Sequence, residues 1–318
     1  MADRPRKFSG SRKYAGGNPP AYSRFQNSGP TAKRGLFLFR QMLTPWLVFD
    51  IILKKDLPQE QMGKGYYIVQ ITAQLREEAR KRLIVALDVS SRREAFHFVR
   101  LLNDVVGAYK IGMQLYNSEG PDMVEYIQLY GGKVFVDLKF HDIPNTVAQT
   151  SRVMARREAF MYTLHASGGS KMLRASADAA ADEAQLLGVA KPLSLGVTVL
   201  TSISQDEFTN ELGLNTTIGE HVVTLAKMAK ESGLDGVVCS PHEIKAIRAC
   251  CGNDFIIVTP GVRPAWAATD DQERIMTPKE AIKNGASYLV VGRPITKAED
   301  PVKAANLIVE EMAEALAE

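Results

Sequence analysis

Lys133-Val134-Phe135-Val136-Asp137-Leu138-Lys139-Phe140-His141-Asp142-Ile143-Pro144-Asn145-Thr146 is the stretch on which the fold turns. Its first four residues are a short apolar, β-branched run, the pattern of a buried strand. Ile143-Pro144 then breaks the strand and a helix starts. In a strand, side chains two apart share a face. Asp137 and Lys139 are therefore expected to project together from the strand end, with Asp142 just past it. Two carboxylates and an ammonium this close perturb one another's ionisation, and such clusters favour functional sites. Taken alone, Asp-x-Lys-x-x-Asp also fits a structural ion pair.

The same alternation runs outward in both directions. Upstream, Glu77 to Arg82 reads as a charged helical lead-in and Leu83–Asp88 as the first strand. A helix capped by Ser90 or Ser91 follows, through Leu102. Ala108–Ile111 is the second strand, with a helix near Asp122–Tyr130. Val134–Leu138 is the third, followed by a helix over Asn145–Arg156. Downstream come strands at Tyr162–His165, Leu193–Leu200, Gly236–Cys239, Phe255–Thr259 and Tyr288–Val291. Helical patterns follow them at Lys171–Leu187, Ile218–Ser232, Pro241–Cys251, Pro278–Asn284 and Pro301–Ala317. Long loops leave the fifth and seventh strands. Eight strands, each followed by a helix, predict a (β/α)8 TIM barrel. A doubly wound sheet would want a Gly-rich turn after strand one, and Asp88-Val89-Ser90-Ser91-Arg92 has no glycine.

Active sites of such barrels lie at the C-terminal ends of the strands. The chemically useful residues all fall there: Asp88 after strand one, Lys110 in strand two, Asp137 and Lys139 ending strand three, Thr201 after strand five. Gly261-Val262-Arg263 and Gly292-Arg293 follow strands seven and eight, where barrels often hold a phosphate. Glycine lets backbone approach the anion and Arg supplies a charged fork.

Several segments together resemble one family. Asp137-Leu138-Lys139-Phe140-His141-Asp142-Ile143-Pro144-Asn145-Thr146-Val147 is similar to the signature of the orotidine 5′-phosphate decarboxylases, of the bacterial type. Ala86-Leu87-Asp88, Tyr109-Lys110-Ile111-Gly112, Leu164-His165-Ala166, Val199-Leu200-Thr201-Ser202, Pro260-Gly261-Val262-Arg263-Pro264, Asp271-Gln272 and Val291-Gly292-Arg293-Pro294 match in order. The resemblance runs from about Arg82 to the C-terminus.

It implies decarboxylation of orotidine 5′-monophosphate to UMP, the last step of pyrimidine nucleotide synthesis, with no metal and no organic cofactor. Lys110, Asp137, Lys139 and Asp142 correspond to the family's alternating Lys-Asp-Lys-Asp array, with Lys139 as proton donor. Asp88 and Lys110 would contact the ribose. Asp137 would lie near the substrate carboxylate, and Thr146 counts among the substrate-binding residues. Thr201 would meet the pyrimidine. Arg263, Gln272, Gly292 and Arg293 would hold the phosphate. Asp142 would reach the neighbouring subunit's site, which implies a homodimer. His141 and His165 are read as structural, with His165 hydrogen-bonded among the strand ends. The rival reading is a related Mg²⁺-dependent phosphosugar decarboxylase or aldolase that shares the Asp-x-Lys-x-x-Asp strand.

The overall net charge of +3 is uneven. Residues 1–34 contain eight Lys/Arg and one Asp, a net of +7 that leaves the remainder at −4. A mildly acidic body argues against nucleic acid as the partner of the barrel. The basic tail would suit RNA or an acidic membrane, but no aromatic residues are regularly interleaved with its basic ones. Residues 1–76 are expected to be a basic, disordered or poorly structured extension, and residues 77–318 the decarboxylase domain. The extension also resembles a transit peptide in composition, and Met62 is an alternative start. The Leu/Phe-rich stretch from Gly35 to Leu53 is interrupted by Arg40, Pro45 and Asp50, too often for a membrane span. Cys239, Cys250 and Cys251 lack Cys-x-x-Cys spacing. They read as buried thiols of a cytoplasmic protein rather than a zinc site or a disulfide framework.

Overall fold

The computed structural model describes residues 73–267 and 276–318. Helix α1 (Ala73–Arg82) leads into β1 (Leu83–Ala86) and α2 (Arg92–Leu102). Then come β2 (Ala108–Gly112), α3 (Met113–Glu119), α4 (Met123–Leu129), β3 (Val134–Phe140) and α5 (Pro144–Arg156). β4 (Met161–His165), α6 (Ser170–Leu187), β5 (Leu193–Val197) and α7 (Ile218–Glu231) continue the alternation. β6 (Gly236–Val238), α8 (Ile244–Cys251), β7 (Ile256–Pro260) and α9 (Pro278–Lys283) follow. β8 (Tyr288–Val291), α10 (Arg293–Thr296) and α11 (Pro301–Ala317) complete it. All eight strands pair in parallel, in chain order, and β8 closes on β1, so the expected barrel forms.

Period two along the strands sorts the core into two layers. Ile84, Ala86, Ala108, Phe135, Met161, Leu195, Val258 and Val290 make one buried cluster inside the barrel. Their neighbours, including Val85, Tyr109, Val136, Tyr162 and Val237, pack outward against the helices. The interior plug decides where the site falls. One inward step beyond Ala86, Ala108 and Phe135 brings Asp88, Lys110 and Asp137. Apolar residues fill the barrel, and the next inward layer, at the open end, carries the charges.

Several boundaries differ from the sequence reading. The segment after β2 folds as two helices, because Gly120, at φ 84°, and Pro121 interrupt them. Of α3's seven residues only Leu115 is buried, too little apolar periodicity to betray a helix. β5 ends at Val197 rather than Leu200. Thr198 turns both its N–H and its hydroxyl onto the Val238 carbonyl, and Val199 and Leu200 face the cavity. α1 begins at Ala73, ahead of the expected boundary at Glu77, and docks on α11 through Arg76, which reaches Asn306 (3.0 Å) and Glu310 (3.4 Å). The expectations for residues 1–72, including the Leu/Phe-rich stretch, lie outside the described residues. Among the described residues no helix is long and apolar enough to cross a membrane.

Candidate active site

A cavity of about 720 Å³ opens at the C-terminal ends of the strands. Its floor and walls include Asp88, Lys110, Asp137, Lys139, Thr201, Arg263, Gly292 and Arg293. The barrel therefore brings together eight residues singled out in sequence on six different β/α units.

Asp137 is the centre of this arrangement. Its Oδ1 accepts from Lys139 Nζ at 2.9 Å and from Thr163 Oγ1 at 3.0 Å. Its Oδ2 lies 3.4 Å from Lys110 Nζ, which also reaches Asp88 Oδ1 at 3.3 Å. The side chains of Asp137 and Lys110 are only 14% and 12% exposed, so the pair is poorly screened, whereas Asp88 is 59% exposed at the rim. Burial opposes ionisation of Asp137. The two lysine charges and the hydrogen bonds from Lys139 and Thr163 outweigh it and hold the carboxyl below its usual range. Gly112 makes room for the network: a Cβ there would come within 3.1 Å of Lys110 Nζ and 3.3 Å of Asp88 Oδ1.

Asp137 and Lys139 meet as expected, but not on a regular strand. β3 and β4 are in register at Val136↔Tyr162 and again at Phe140↔Leu164. Asp137, Leu138 and Lys139 thus stand opposite Thr163 alone. Lys139 takes φ 54°, the left-handed region that a non-glycine residue enters at a cost of roughly 1–3 kcal/mol. Its backbone N–H, lifted off the ladder, donates to Thr163 Oγ1 at 2.9 Å.

The opposite wall carries the two Gly/Arg turns. Gly261, at φ 77°, turns the chain sharply after β7, and Val262 next to it is buried. Gly292 ends β8 and Arg293 begins α10, exposed at the rim. Val199, Leu200, Val262 and Trp266 give this end of the cavity an apolar lining. One mouth thus combines a charge network on one side with apolar surface and two guanidiniums on the other, which suits a flat, polar ring joined to an anion.

Two expected site residues are not in the cavity of their own chain. Asp142 is exposed, and its Oδ1 accepts from the Ile143 N–H at 2.7 Å. Thr146, in the first turn of α5, is also exposed and outside the lining. Gln272 lies outside the described residues. Among the described residues His165 does not take the hydrogen bond expected of it. Its ring packs against His141, with centroids 5.4 Å apart, and burial, with His141 and Lys139 beside it, holds it below its usual range. Sequence reasoning missed Thr163, Trp266 and Lys297. For Thr163 the place two residues beyond inward-facing Met161, at the level of Asp137, emerges only in the barrel.

Of the cysteines, Cys239 and Cys251 are buried and Cys250 is half-buried, less than expected. Burial pushes the Cys239 thiol up, and the Cys251 thiol up to about 11. Among the described residues no group of three or more His, Cys, Asp or Glu converges as a metal site.

Comparison with known proteins agrees with this architecture. The sequence model of the Orotidine 5′-phosphate decarboxylase / HUMPS family matches residues 81–308. The orotidine 5′-phosphate decarboxylase of Syntrophomonas wolfei is 54% identical over 238 residues, covering 74% of this chain and 100% of that one. That of Heliobacterium modesticaldum is 53% identical over 240 residues, covering 76% and 99%. The crystal structure of orotidine 5′-phosphate decarboxylase from Lactobacillus acidophilus superposes with a TM-score of 0.65 at 41% identity, covering 72% of this chain and 98% of that one. With a match across the whole barrel and relatives about half identical over their full lengths, this chain belongs to the orotidine 5′-phosphate decarboxylase / HUMPS family.

Proposed function

We propose that this protein decarboxylates orotidine 5′-monophosphate to UMP, without metal or organic cofactor, in the cavity at the open end of the barrel. The observation that carries this reading is the buried Asp137 carboxylate held between Lys110 and Lys139, 3.4 Å and 2.9 Å away. The bond that breaks joins C6 of the pyrimidine to the carboxylate, and its electron pair stays on a ring carbon with little delocalisation. A fixed cation beside that carbon stabilises the developing charge more in the transition state than in the substrate. Lys139 supplies the cation and then the proton: CO₂ leaves, C6 takes a proton from the ammonium, and solvent restores it.

Asp137 stays ionised beside the two lysines and holds both in place. It also faces the substrate carboxylate, whose repulsion is relieved as CO₂ departs. Asp88 and Lys110 bind the ribose hydroxyls. Thr201 meets the pyrimidine. Arg263, Gly292 and Arg293, with Gln272, take the phosphate, whose binding energy orients the ring.

Asp142 and Thr146 act in the neighbouring subunit of a homodimer. Their exposure in the single chain, next to Ile143 at 66% exposed, supports this. The enzyme works in the cytoplasm on a small-molecule substrate, with neither nucleic acid nor membrane as partner.

The test is the ultraviolet absorbance of orotidine 5′-monophosphate incubated with purified protein and EDTA. Conversion to UMP that is indifferent to the chelator is expected, and the Mg²⁺-dependent alternative predicts its loss. Lys139→Ala is expected to abolish turnover with an unchanged melting temperature. Substantial turnover in that variant would remove Lys139 from the mechanism.

A further inference from the structure

We propose that Thr163 is a positioning residue of this site, whose buried hydroxyl ties the backbone of Lys139 to the carboxylate of Asp137 and so sets the proton donor in its working place. This rests on the decarboxylase reading above. Thr163 is on β4, fully buried, and inward-facing two residues beyond Met161. A hydroxyl has one proton and accepts on its lone pairs. The Lys139 N–H can only donate, so at 2.9 Å it uses the acceptor side of Thr163 Oγ1. The hydroxyl proton is left for Asp137 Oδ1, at 3.0 Å, and the ionised carboxylate can only accept. The polarity of the chain Lys139 N–H, Thr163 hydroxyl, Asp137 carboxylate is therefore forced.

The register explains why a hydroxyl is needed. An unbroken β3–β4 ladder, continued from Val136↔Tyr162, would set Lys139 opposite His165. Instead the ladder resumes at Phe140↔Leu164, and Lys139 sits off the ladder at φ 54°. Its amide has no strand carbonyl to meet, and an unpaired buried N–H is costly. Thr163 supplies the acceptor. The same hydroxyl fixes the rotation of the Asp137 carboxyl, so that Oδ1 meets Lys139 Nζ at 2.9 Å while Oδ2 stays with Lys110. Reacting groups displaced by about 1 Å lose rate steeply, so an anchor that holds a strained lysine acts on the chemical step.

Thr163→Val keeps the shape and removes the hydroxyl; Thr163→Ser keeps the hydroxyl. Four quantities are read for each: kcat, KM, the affinity for UMP, and the affinity for a UMP analogue carrying an oxyanion at C6. The analogue places negative charge where the reaction develops it, beside Lys139. For Thr163→Val, kcat is expected to fall about a hundredfold. Its KM and UMP affinity should stay near wild type, while affinity for the analogue falls in step with kcat. Thr163→Ser should restore both. Wild-type kcat in Thr163→Val, equal losses for UMP and analogue, or a Ser variant as impaired as Val would each overturn the proposal. If Thr163→Val does not fold, Thr163→Ala gives the same comparison against Ser; if neither folds, the hydroxyl serves the fold and the positioning role is overturned. Failure of the wild-type protein to decarboxylate orotidine 5′-monophosphate would instead overturn the underlying function. The crystal structure of Thr163→Val then decides the geometric claim. Movement of Lys139 Nζ off Asp137 supports it, and unchanged positions overturn it.

Discussion

Arg293 follows β8 at the rim of the cavity, directly after Gly292, and is exposed in the unliganded chain. A guanidinium so placed has no ion-pair partner among the described residues and is open to an incoming anion. Arg293→Ala is expected to lower kcat/KM for orotidine 5′-monophosphate by about 2–4 kcal/mol, the scale for removing one partner of a bound charge pair. The nucleoside without its phosphate should be nearly indifferent. Steady-state kinetics on both substrates checks this, and equal losses would make Arg293 a structural residue. Residue identities at this scale were legible: Asp88, Lys110, Asp137 and Lys139 stand out as charges at apolar strand ends. Thr163 was not, because a threonine inside Met161-Tyr162-Thr163-Leu164-His165 reads as ordinary strand-forming sequence until its neighbour across the ladder is known.

At the scale of single elements, the turn from β6 into α8 carries a pH dependence. Ser240 and Glu243 cap each other there, the Ser240 N–H donating to Glu243 Oε2 at 2.9 Å. Burial pushes the Glu243 carboxyl up to about 7, against an ordinary value of 4.5. Between these values the folded protein holds a proton that the unfolded chain has released. Stability therefore falls as pH rises from about 4.5 through about 7 and then levels off. Glu243→Gln keeps an acceptor for the cap and cannot ionise. Its melting temperature is expected to decline less than wild type across this window, and to exceed it at pH 8. Thermal melts at several pH values read this directly; parallel curves for the two proteins would contradict it. The elements themselves were read well wherever apolar period and caps are local, as in α2 behind Ser91. They were read poorly at α3, α10 and the end of β5. Those are short, and their limits follow from what the barrel lets them touch rather than from their own pattern.

At the scale of the whole molecule, the proposed shared site makes a test that no single chain can imitate. Lys139→Ala and Asp142→Ala homodimers should both be inactive. After the two are mixed and subunits exchange, half the dimers are mixed. Each mixed dimer takes Lys139 from one chain and Asp142 from the other in one site and lacks both in the second. Activity should return to roughly a quarter of wild type under two-fold symmetry. Exchange demonstrated by mass with no activity regained would mean that Asp142 serves its own chain.

The sequence alone determined the barrel and the end of it at which the candidate site opens. Strand period, helix period and the break between them are properties of neighbours along the chain, and eight such units in series admit few closures. It also determined that Asp137 and Lys139 share a side. Only the tertiary structure decided how they do so. Three residues of β3 stand against Thr163, Lys139 is left-handed, and Asp142 is turned out of its own cavity. The physical reason is that a register between two strands is set by the closure of the whole sheet. Residues far apart in the chain settle there which backbone groups find partners and which must borrow a side chain.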